Sequence, residues 1–345
     1  MLPPELSDLV EQSEFRQDVV SGRWVILAPE RARRPLGLSH VKPPARVNVE
    51  RLICPFCPGQ EHDTPGTVYS VPADGRPWEV RVVPNKFPAV RPIAPDTHGL
   101  TQRLNAHLLP GFGVHEVVIE GAAHETDPVA LTDATYQQVL VAYRERIKGL
   151  AADRRLDYAA VFKNVGAEAG ASMAHLHSQI VATPFVPTDV QVELAGADRY
   201  FRLYHHCVFC RQVERARDGT ARLVAASPNF VVVCPPAPRF AYEMWVIPAA
   251  HASHYETISD ADALELAQLL KRVLAGLDAA VAMPAYNYFL HTAPLRTDPL
   301  PHFHWHLEIV PRTARAAGYE WGTGVFINTV MPERAAAELR AAMQK

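Results

Sequence analysis

Four of the five cysteines stand in two C-x-x-C pairs, Cys54 with Cys57 and Cys207 with Cys210. Two thiolates at this spacing form half of a tetrahedral zinc site, which needs two further nitrogen or sulfur donors. An odd number of cysteines argues against a disulfide framework, and a redox dithiol is the rival interpretation of each pair. The 16 histidines of the chain offer the missing donors.

The sequence after each pair repeats one order of segments. VVPNKFPAV, HEVVIEGAAH, a helical stretch, YAAVFKN and HLHSQIV follow the first pair; SPNFVVV, YEMWVIPAAH, a helical stretch, YNYFLHT and HFHWHLEIV follow the second. A metal ligand should recur at equivalent places in both copies. The repeat therefore predicts two structural Cys₂His₂ zinc sites: Cys54, Cys57, His124 and His175 form the first, and Cys207, Cys210, His251 and His304 form the second.

Three alternatives to these ligand sets stay open. His115 could replace His124, and His254 could replace His251. The histidines could also lie on the surface without any metal.

The motif H-x-H-x-Q, at His175, His177 and Gln179, carries the clearest indication of catalysis. On a strand the two histidines point to the same face about 7 Å apart, so a metal that fixes His175 also fixes the strand that presents His177. The glycine-rich stretch 164–172 lies just upstream, and its backbone N–H groups can approach a phosphate closely. Together these residues predict a phosphate site with a nucleophile at His177 and an amide at Gln179.

The second copy differs where the chemistry would occur. HTAPLRTDP replaces the glycine-rich loop, and Glu308 replaces Gln179. Because a carboxylate repels phosphate, we expect this copy to keep the scaffold and the metal but not the reaction. His291 and His306 are left without a role and could contact substrate or a metal.

Two long helices and many short strands must position these residues. Apolar side chains recur at helical spacing between Tyr136 and Leu150 and again between Leu266 and Leu277, and the flanking segments alternate or are β-branched over five to eight residues. The sequence predicts an α+β protein of two related units, each a mostly antiparallel sheet with a long helix. The Pro-rich stretch 183–190 predicts a boundary between a catalytic domain at 1–190 and a second domain with a C-terminal tail at 191–345.

Composition limits the function classes for this chain of 345 residues. Its 34 Lys and Arg are balanced by 37 Asp and Glu, so a nucleic-acid partner is disfavoured. The lack of a long apolar run and of a secretory leader predicts a cytoplasmic protein without a membrane partner. A zinc-stabilised nucleotide-binding module without turnover and a zinc-dependent nucleic-acid-binding protein are the rival classes. The basic run at Arg31, Arg33 and Arg34 is either a solvated surface or a phosphate contact.

The chain resembles the galactose-1-phosphate uridylyltransferase family of the histidine-triad superfamily over nearly its whole length. The resemblance rests on RWVILAPERARRP, CPFC, VPNKFPAV, NVGAEAGASMAHLHSQ, HFHWHLEIVPR and AGYEWGTGVFIN. It implies two histidine-triad-like units in one chain, and it implies a homodimer whose C-terminal segment reaches the partner's active site.

This resemblance also implies residue roles. His177 would be the nucleophile that carries a nucleoside monophosphate, Gln179 would line the phosphates, and the first zinc set matches the family's ligands. Six further residues would bind the nucleotide: Arg31, Arg34, Asn85, Asn164, Gly170 and Ser172.

The implied reaction moves a nucleoside monophosphate between a nucleotide sugar and a sugar 1-phosphate, as in UDP-glucose:galactose-1-phosphate uridylyl transfer in galactose metabolism. The chain has Leu176 and Ser178 where the best-known members read H-P-H-G-Q, and its tail lacks their glutamine-bearing segment. A sister branch, the ADP-glucose phosphorylase type, is resembled as closely, and a histidine-triad hydrolase is a further alternative. The base, the sugar, the acceptor, and zinc or iron in the second site stay open.

Overall fold

The elements follow from a computed structural model, which describes residues 12–33, 54–72, 77–92 and 111–344. Within these ranges the helices are α1 (Asp133–Leu150), α2 (Thr188–Tyr204), α3 (Val208–Arg217), α4 (Asp260–Val281), α5 (Gly318–Thr323) and α6 (Pro332–Ala342). The strands are β1 (Glu14–Gln17), β2 (Trp24–Leu27), β3 (Tyr69–Val71), β4 (Val80–Pro84), β5 (Val114–Glu120), β6 (Tyr158–Val165), β7 (His177–Thr183), β8 (Leu223–Ala226), β9 (Phe230–Val233), β10 (Met244–Pro248), β11 (Tyr286–His291), β12 (His306–Pro311) and β13 (Phe326–Asn328).

The two predicted apolar stripes form the long helices α1 and α4. Each helix begins at a capping hydroxyl: Thr132 accepts a hydrogen bond from the backbone N–H of Thr135, and Ser259 accepts one from Asp262. The stripes are buried together in one large apolar core beneath the main sheet. These contacts fix both helices on the same face of that sheet.

Ten of the described strands form one continuous sheet, in the order β3-β4-β5-β7-β6-β11-β12-β10-β9-β8. All pairs in it are antiparallel. The two copies of the repeat meet where β6 pairs with β11, with Phe162 opposite Phe289 and Asn164 opposite Asn287. The copies therefore share a sheet.

Strand register divides this sheet into an apolar face and a polar face. Ile180, Val161 and Leu307 point into the helix-covered core. Because side chains alternate along a strand, His177 and Gln179 point to the opposite face. The histidines singled out in the sequence thus lie on the face that the long helices leave uncovered.

A second, three-stranded sheet joins the two ends of the described chain. β1 pairs with β2 antiparallel, and β13 pairs with β2 in parallel, with Ile327 opposite Ile26. Arg16 of β1 also forms an ion pair with Glu333 at the start of α6, at 2.9 Å. The C-terminal segment is thereby tied to the N-terminal hairpin.

The predicted α+β class is confirmed, since each copy of the repeat contributes antiparallel strands and a long helix. The domain boundary at 190/191 stays a prediction, and α2 runs across that position. None of the described helices combines the length and the apolar character needed to cross a bilayer.

Candidate active site and metal clusters

The first predicted ligand set comes together in space. Its cysteines lie in a turn closed by a hydrogen bond from Cys57 N–H to Cys54 O at 3.1 Å, His124 follows β5, and His175 precedes β7. Cys57 Sγ is 3.3 Å from His124 Nδ1 and 3.7 Å from His175 Nδ1. The four donor atoms lie within 4.8 Å of one another.

These distances suit a tetrahedral metal. Around zinc, bond lengths near 2.3 Å to sulfur and 2.0 Å to nitrogen give sulfur–nitrogen separations of about 3.5 Å. His175 Nε2 lies 3.0 Å from the carbonyl oxygen of Gly121. Since a carbonyl can only accept, Nε2 carries the ring proton and the Nδ1 lone pair faces the thiols.

The second predicted set also assembles. Cys210 Sγ is 3.2 Å from His251 Nδ1 and 3.6 Å from His304 Nδ1, and Cys207 completes the cluster. His251 Nε2 lies 3.0 Å from Leu300 O, so Nε2 carries the ring proton and the Nδ1 lone pair faces the thiol. Both clusters can hold a metal.

The two alternative ligands have partners elsewhere. His254 lies between Ser253 Oγ, at 2.8 Å, and Thr297 Oγ1, at 3.1 Å. His115 contacts Gln179. The geometry thus groups His124 and His251, rather than His115 and His254, with the cysteines.

His177 is the first residue of β7 and is only 6% exposed. Its Nδ1 lies 2.9 Å from the carbonyl oxygen of His175, so Nδ1 carries the proton and Nε2 keeps its lone pair. Burial lowers the pKa of His177, which favours the neutral ring. The ring of Phe56 lies near both His175 and His177, at centroid distances of 6.0 and 5.5 Å, so both rings are on one side of the sheet. His175 itself lies in the bend before β7 and not on the strand.

Gln179 is oriented by His115, whose role the sequence did not reveal. Ala89 N–H donates to His115 Nδ1 at 3.0 Å, which places the ring proton on Nε2. That proton is donated to Gln179 Oε1 at 2.8 Å. With its oxygen engaged, Gln179 turns its NH₂ group away from His115.

The glycine-rich loop follows β6 and makes a tight 3₁₀ turn. Gly166 and Gly170 have φ angles of 84° and 85°, which are conformations that favour glycine. A Cβ on Gly166 would come within 2.8 Å of Ala285 Cβ in the second copy. Asn164 Nδ2 lies 3.8 Å from where a Gly170 Cβ would be, and Ser172 is exposed beyond the loop.

The other residues predicted to contact the nucleotide are Asn85, Arg31 and Arg34, and no described contact joins Asn85 or Arg31 to His177. Asn85 Nδ2 is 3.1 Å from His115 Nε2, which puts Asn85 beside the Gln179 end of the site. Arg31 lies in an exposed 3₁₀ turn after β2, and no described contact joins it to His177 or Gln179. Arg34 lies outside the described residues.

In the second copy, carboxylates lie around His306, the residue that corresponds to His177. His306 repeats the bond of His177, with Nδ1 3.2 Å from His304 O, but its Nε2 faces Glu193 of α2 at 3.2 Å. Burial alone lowers the pKa of His291, but the Glu193 carboxylate 2.6 Å away outweighs this and raises it to about 9. Glu308 pairs with Arg239. Glu193, His291 and His306 also form a third group whose donor atoms lie close enough for a metal.

A buried ion pair lies behind β7, on the helix-covered face. Lys163 of β6 and Glu120 of β5 pair across β7, and both are fully buried. Tyr143 of α1 donates to Glu120 at 3.1 Å, and its hydroxyl is 2.7 Å from Ser178 Oγ and 2.7 Å from Tyr288 Oη. This network ties together the strands that flank His177.

The comparisons with known proteins agree with these features. A model of the galactose-1-phosphate uridyl transferase N-terminal domain matches residues 5–187, and a model of a domain of unknown function, DUF4921, matches residues 116–345. ADP-glucose phosphorylase of Arabidopsis thaliana is 37% identical over 337 residues, covering 96% of this chain and 93% of the relative. Galactose-1-phosphate uridylyltransferase of Thermotoga maritima is 26% identical over 335 residues, covering 95% of this chain and 98% of the relative.

A solved structure is similar over the whole fold. The crystal structure of an ADP-glucose phosphorylase from Arabidopsis thaliana with bound ADP-glucose has a TM-score of 0.83 and 36% identity, covering 95% of this chain and 99% of that chain.

Proposed function

The chain belongs to the galactose-1-phosphate uridyl transferase family of nucleotidyltransferases, and on that premise we propose that it transfers a nucleoside monophosphate from a nucleotide sugar through a covalent bond to His177. One observation carries the proposal. The buried imidazole of His177 has its proton fixed on Nδ1 by the His175 carbonyl, which leaves an Nε2 lone pair on β7, whose neighbour β6 leads into the glycine-rich loop.

In the first step Nε2 attacks the α-phosphorus of the nucleotide sugar. The N–P bond forms as the bond from that phosphorus to the bridging oxygen breaks, and the sugar 1-phosphate leaves with the electron pair. The positive charge that develops on the ring faces the His175 carbonyl oxygen at Nδ1. The NH₂ groups of Gln179 and Asn164 and the loop amides donate to the non-bridging oxygens, each such donor contributing about 3 kcal/mol by analogy with oxyanion donors.

In the second step an oxygen of the phosphate acceptor attacks the same phosphorus. The N–P bond breaks and returns its electron pair to Nε2, so the ring regains its starting state. Two displacements at one phosphorus predict ping-pong kinetics.

Among donors and acceptors, ADP-glucose and inorganic phosphate are the first candidate pair. The 37% identity to an ADP-glucose phosphorylase over nearly the whole chain supports it. UDP-glucose with galactose 1-phosphate is the second pair, supported by the family model and by the 26% identical uridylyltransferase.

Zinc is the proposed ion for both Cys₂His₂ clusters, because two thiolates and two imidazoles are a donor set typical of structural zinc. In the first cluster His175 supplies both a ligand through Nδ1 and the carbonyl that orients His177. The ion there would anchor the residue next to the nucleophile. The expected homodimer and cytoplasmic location stay predictions.

Covalent labelling tests the proposal. We expect protein incubated with [α-³²P]ADP-glucose or [α-³²P]UDP-glucose to gain label that is lost in acid and kept in base, as a phosphoramidate behaves. Adding phosphate or galactose 1-phosphate in separate arms should release the label as ADP or a nucleotide sugar and so identify the acceptor. His177→Asn should not be labelled, while His254→Asn, in the second copy, should be labelled normally. Labelled His177→Asn protein would contradict the proposal.

A further inference from the structure

The second copy of the repeat contacts the phosphate loop of the first. Where β6 pairs with β11, Asn287 lies opposite Asn164, and Ala285 packs against Gly166. Asn287 is 7% exposed. A buried amide this close to the glycine-rich loop must have its donors and acceptors matched by neighbours.

The hydrogen bonds around Asn287 fix which way its amide points. Arg312 Nε–H, which can only donate, lies 2.5 Å from Asn287 Oδ1. On the other side Asn287 Nδ2 donates to the carbonyl oxygen of Ala169 at 2.8 Å. Both contacts require the oxygen toward Arg312 and the NH₂ group toward the loop.

This orientation in turn fixes Asn164. Asn287 Nδ2 donates to Asn164 Oδ1 at 2.7 Å, so the oxygen of Asn164 is engaged. The Nδ2 of Asn164 is left on the side of Gly170, and no hydrogen bond joins it to another described residue. Asn164 is half-buried, so this NH₂ group remains accessible to a ligand.

We infer that Asn287 and Arg312 are positioning residues, which hold Asn164 so that it presents a hydrogen-bond donor, and not its oxygen, to the phosphate of the nucleotide. The inference rests on the proposed function for the identity of the ligand. It gives the second copy a role in the reaction of the first. Without the Arg312–Asn287 chain, rotation by half a turn would direct the Asn164 oxygen at an anionic phosphate.

Asn287→Asp tests the inference because it keeps the shape of the side chain and replaces the NH₂ donor with a carboxylate oxygen. The carboxylate still accepts from Arg312, but Asn164 can then bond to it only through Nδ2, which leaves Oδ1 facing the phosphate. Since a hydrogen bond to a charged group is lost and a repulsion is gained, we expect the second-order rate constant of labelling to fall about 30- to 100-fold. Asn287→Ala leaves Asn164 free to rotate and should cost only about 3- to 10-fold.

The carboxylate introduced by Asn287→Asp would also face the Ala169 carbonyl, so a double-mutant cycle separates the two effects. In an Asn164→Ala background there is no amide to orient, and Asn287→Asp should then have little further effect on labelling. Asn229→Asp is the matched control. Asn229 Nδ2 also donates to two oxygens, Asp262 Oδ1 at 2.9 Å and Glu265 Oε2 at 3.1 Å, but it lies between β8 and β9 of the second copy.

Two readouts make the result decisive: labelling by [α-³²P]ADP-glucose and [α-³²P]UDP-glucose, and calorimetric binding of AMP and UMP. The inference is supported if Asn287→Asp weakens monophosphate binding and labelling, with Asn229→Asp close to the wild type and the effect absent in the Asn164→Ala background. It is overturned if Asn287→Asp behaves like Asn229→Asp, or if its cost is the same in both backgrounds.

The two readouts also separate this inference from the proposed function. A wild-type protein that is never labelled, but whose monophosphate binding follows the cycle, would remove the transferase reaction and keep the positioning role. A wild type that binds neither AMP nor UMP would overturn both.

Discussion

In the first copy, the ring tautomers of three histidines are set by partners that can only donate or only accept. The carbonyls of Gly121 and His175 fix the proton on Nε2 of His175 and on Nδ1 of His177, so the lone pair is on Nδ1 in the proposed metal ligand and on Nε2 in the proposed nucleophile two positions later. The backbone N–H of Ala89 donates to Nδ1 of His115, which places the ring proton of His115 on Nε2. The chemistry of each histidine therefore follows from its neighbours and not from its type.

His115→Phe tests this at the scale of a residue. The ring keeps its volume but no longer donates to Gln179, whose amide can then turn its oxygen toward the phosphate. We expect the rate constant of covalent labelling to fall about 10-fold, as for the loss of one hydrogen bond of about 1.4 kcal/mol. Labelling by a radioactive nucleotide sugar measures it.

The matched control is His254→Phe. It replaces a buried imidazole of the second copy and removes the two hydrogen bonds that this ring makes. It should lower thermal stability without slowing labelling. Equal labelling rates for the two variants would mean that His115 does not orient Gln179.

At the scale of elements, strand β7, which carries the proposed nucleophile, is supported from behind by a charged pair. Glu120 and Lys163 come from the strands on either side of β7, and Tyr143 connects them to helix α1. Removing one partner of a fully buried pair leaves an uncompensated charge, whereas removing both does not.

We expect Lys163→Met to lower the free energy of unfolding by about 3–5 kcal/mol. The double variant Glu120→Gln with Lys163→Met should recover more than half of that loss, since Tyr143 can still donate to the amide oxygen. Urea denaturation of both proteins measures the difference. The surface pair Arg155–Asp153 is the comparison, and Arg155→Met should change the free energy of unfolding far less than Lys163→Met does. If Lys163→Met were no worse than Arg155→Met, the pair would not support the strands.

At the scale of the whole molecule, two similar Cys₂His₂ clusters lie in two copies that differ at the proposed reaction site. One cluster includes His175, whose carbonyl faces His177, and the other lies in the copy where Glu193 faces the corresponding His306. Losing the metal at each should therefore have different effects.

We expect about two zinc ions per chain by elemental analysis, and a large drop in melting temperature on chelation because metal binding contributes directly to folding. Cys57→Ser should lose one ion and most of the labelling activity per folded molecule. Cys210→Ser should lose one ion and thermal stability while its folded fraction still labels. A wild-type content well below one ion per chain, or equal losses of labelling in the two variants, would contradict this scheme.

Much of this arrangement could be predicted from the sequence, because the repeat supplied a second copy against which each residue could be compared. The ligand sets, the two helices and the motif that ends at Gln179 are local patterns, and the structure brings their residues together as expected. The role of His115 could not be predicted, since it depends on β5 pairing with β7, which places it near Gln179 across 64 residues of sequence. The role of Asn287 depends likewise on the pairing of β6 with β11. Glu193 was missed because it belongs to the helix that connects the copies.

The pairing of β6 with β11 has a consequence for how the protein assembles. Both strands are interior, so a chain cut between the copies would leave each fragment with an open edge of unpaired N–H and C=O groups. Such an edge can pair with any complementary strand. In the uncut chain, the complementary strand is on the same polypeptide and is therefore present at a high local concentration. The molecule is in effect a dimer whose two subunits are joined in one chain, and each copy completes the sheet of the other.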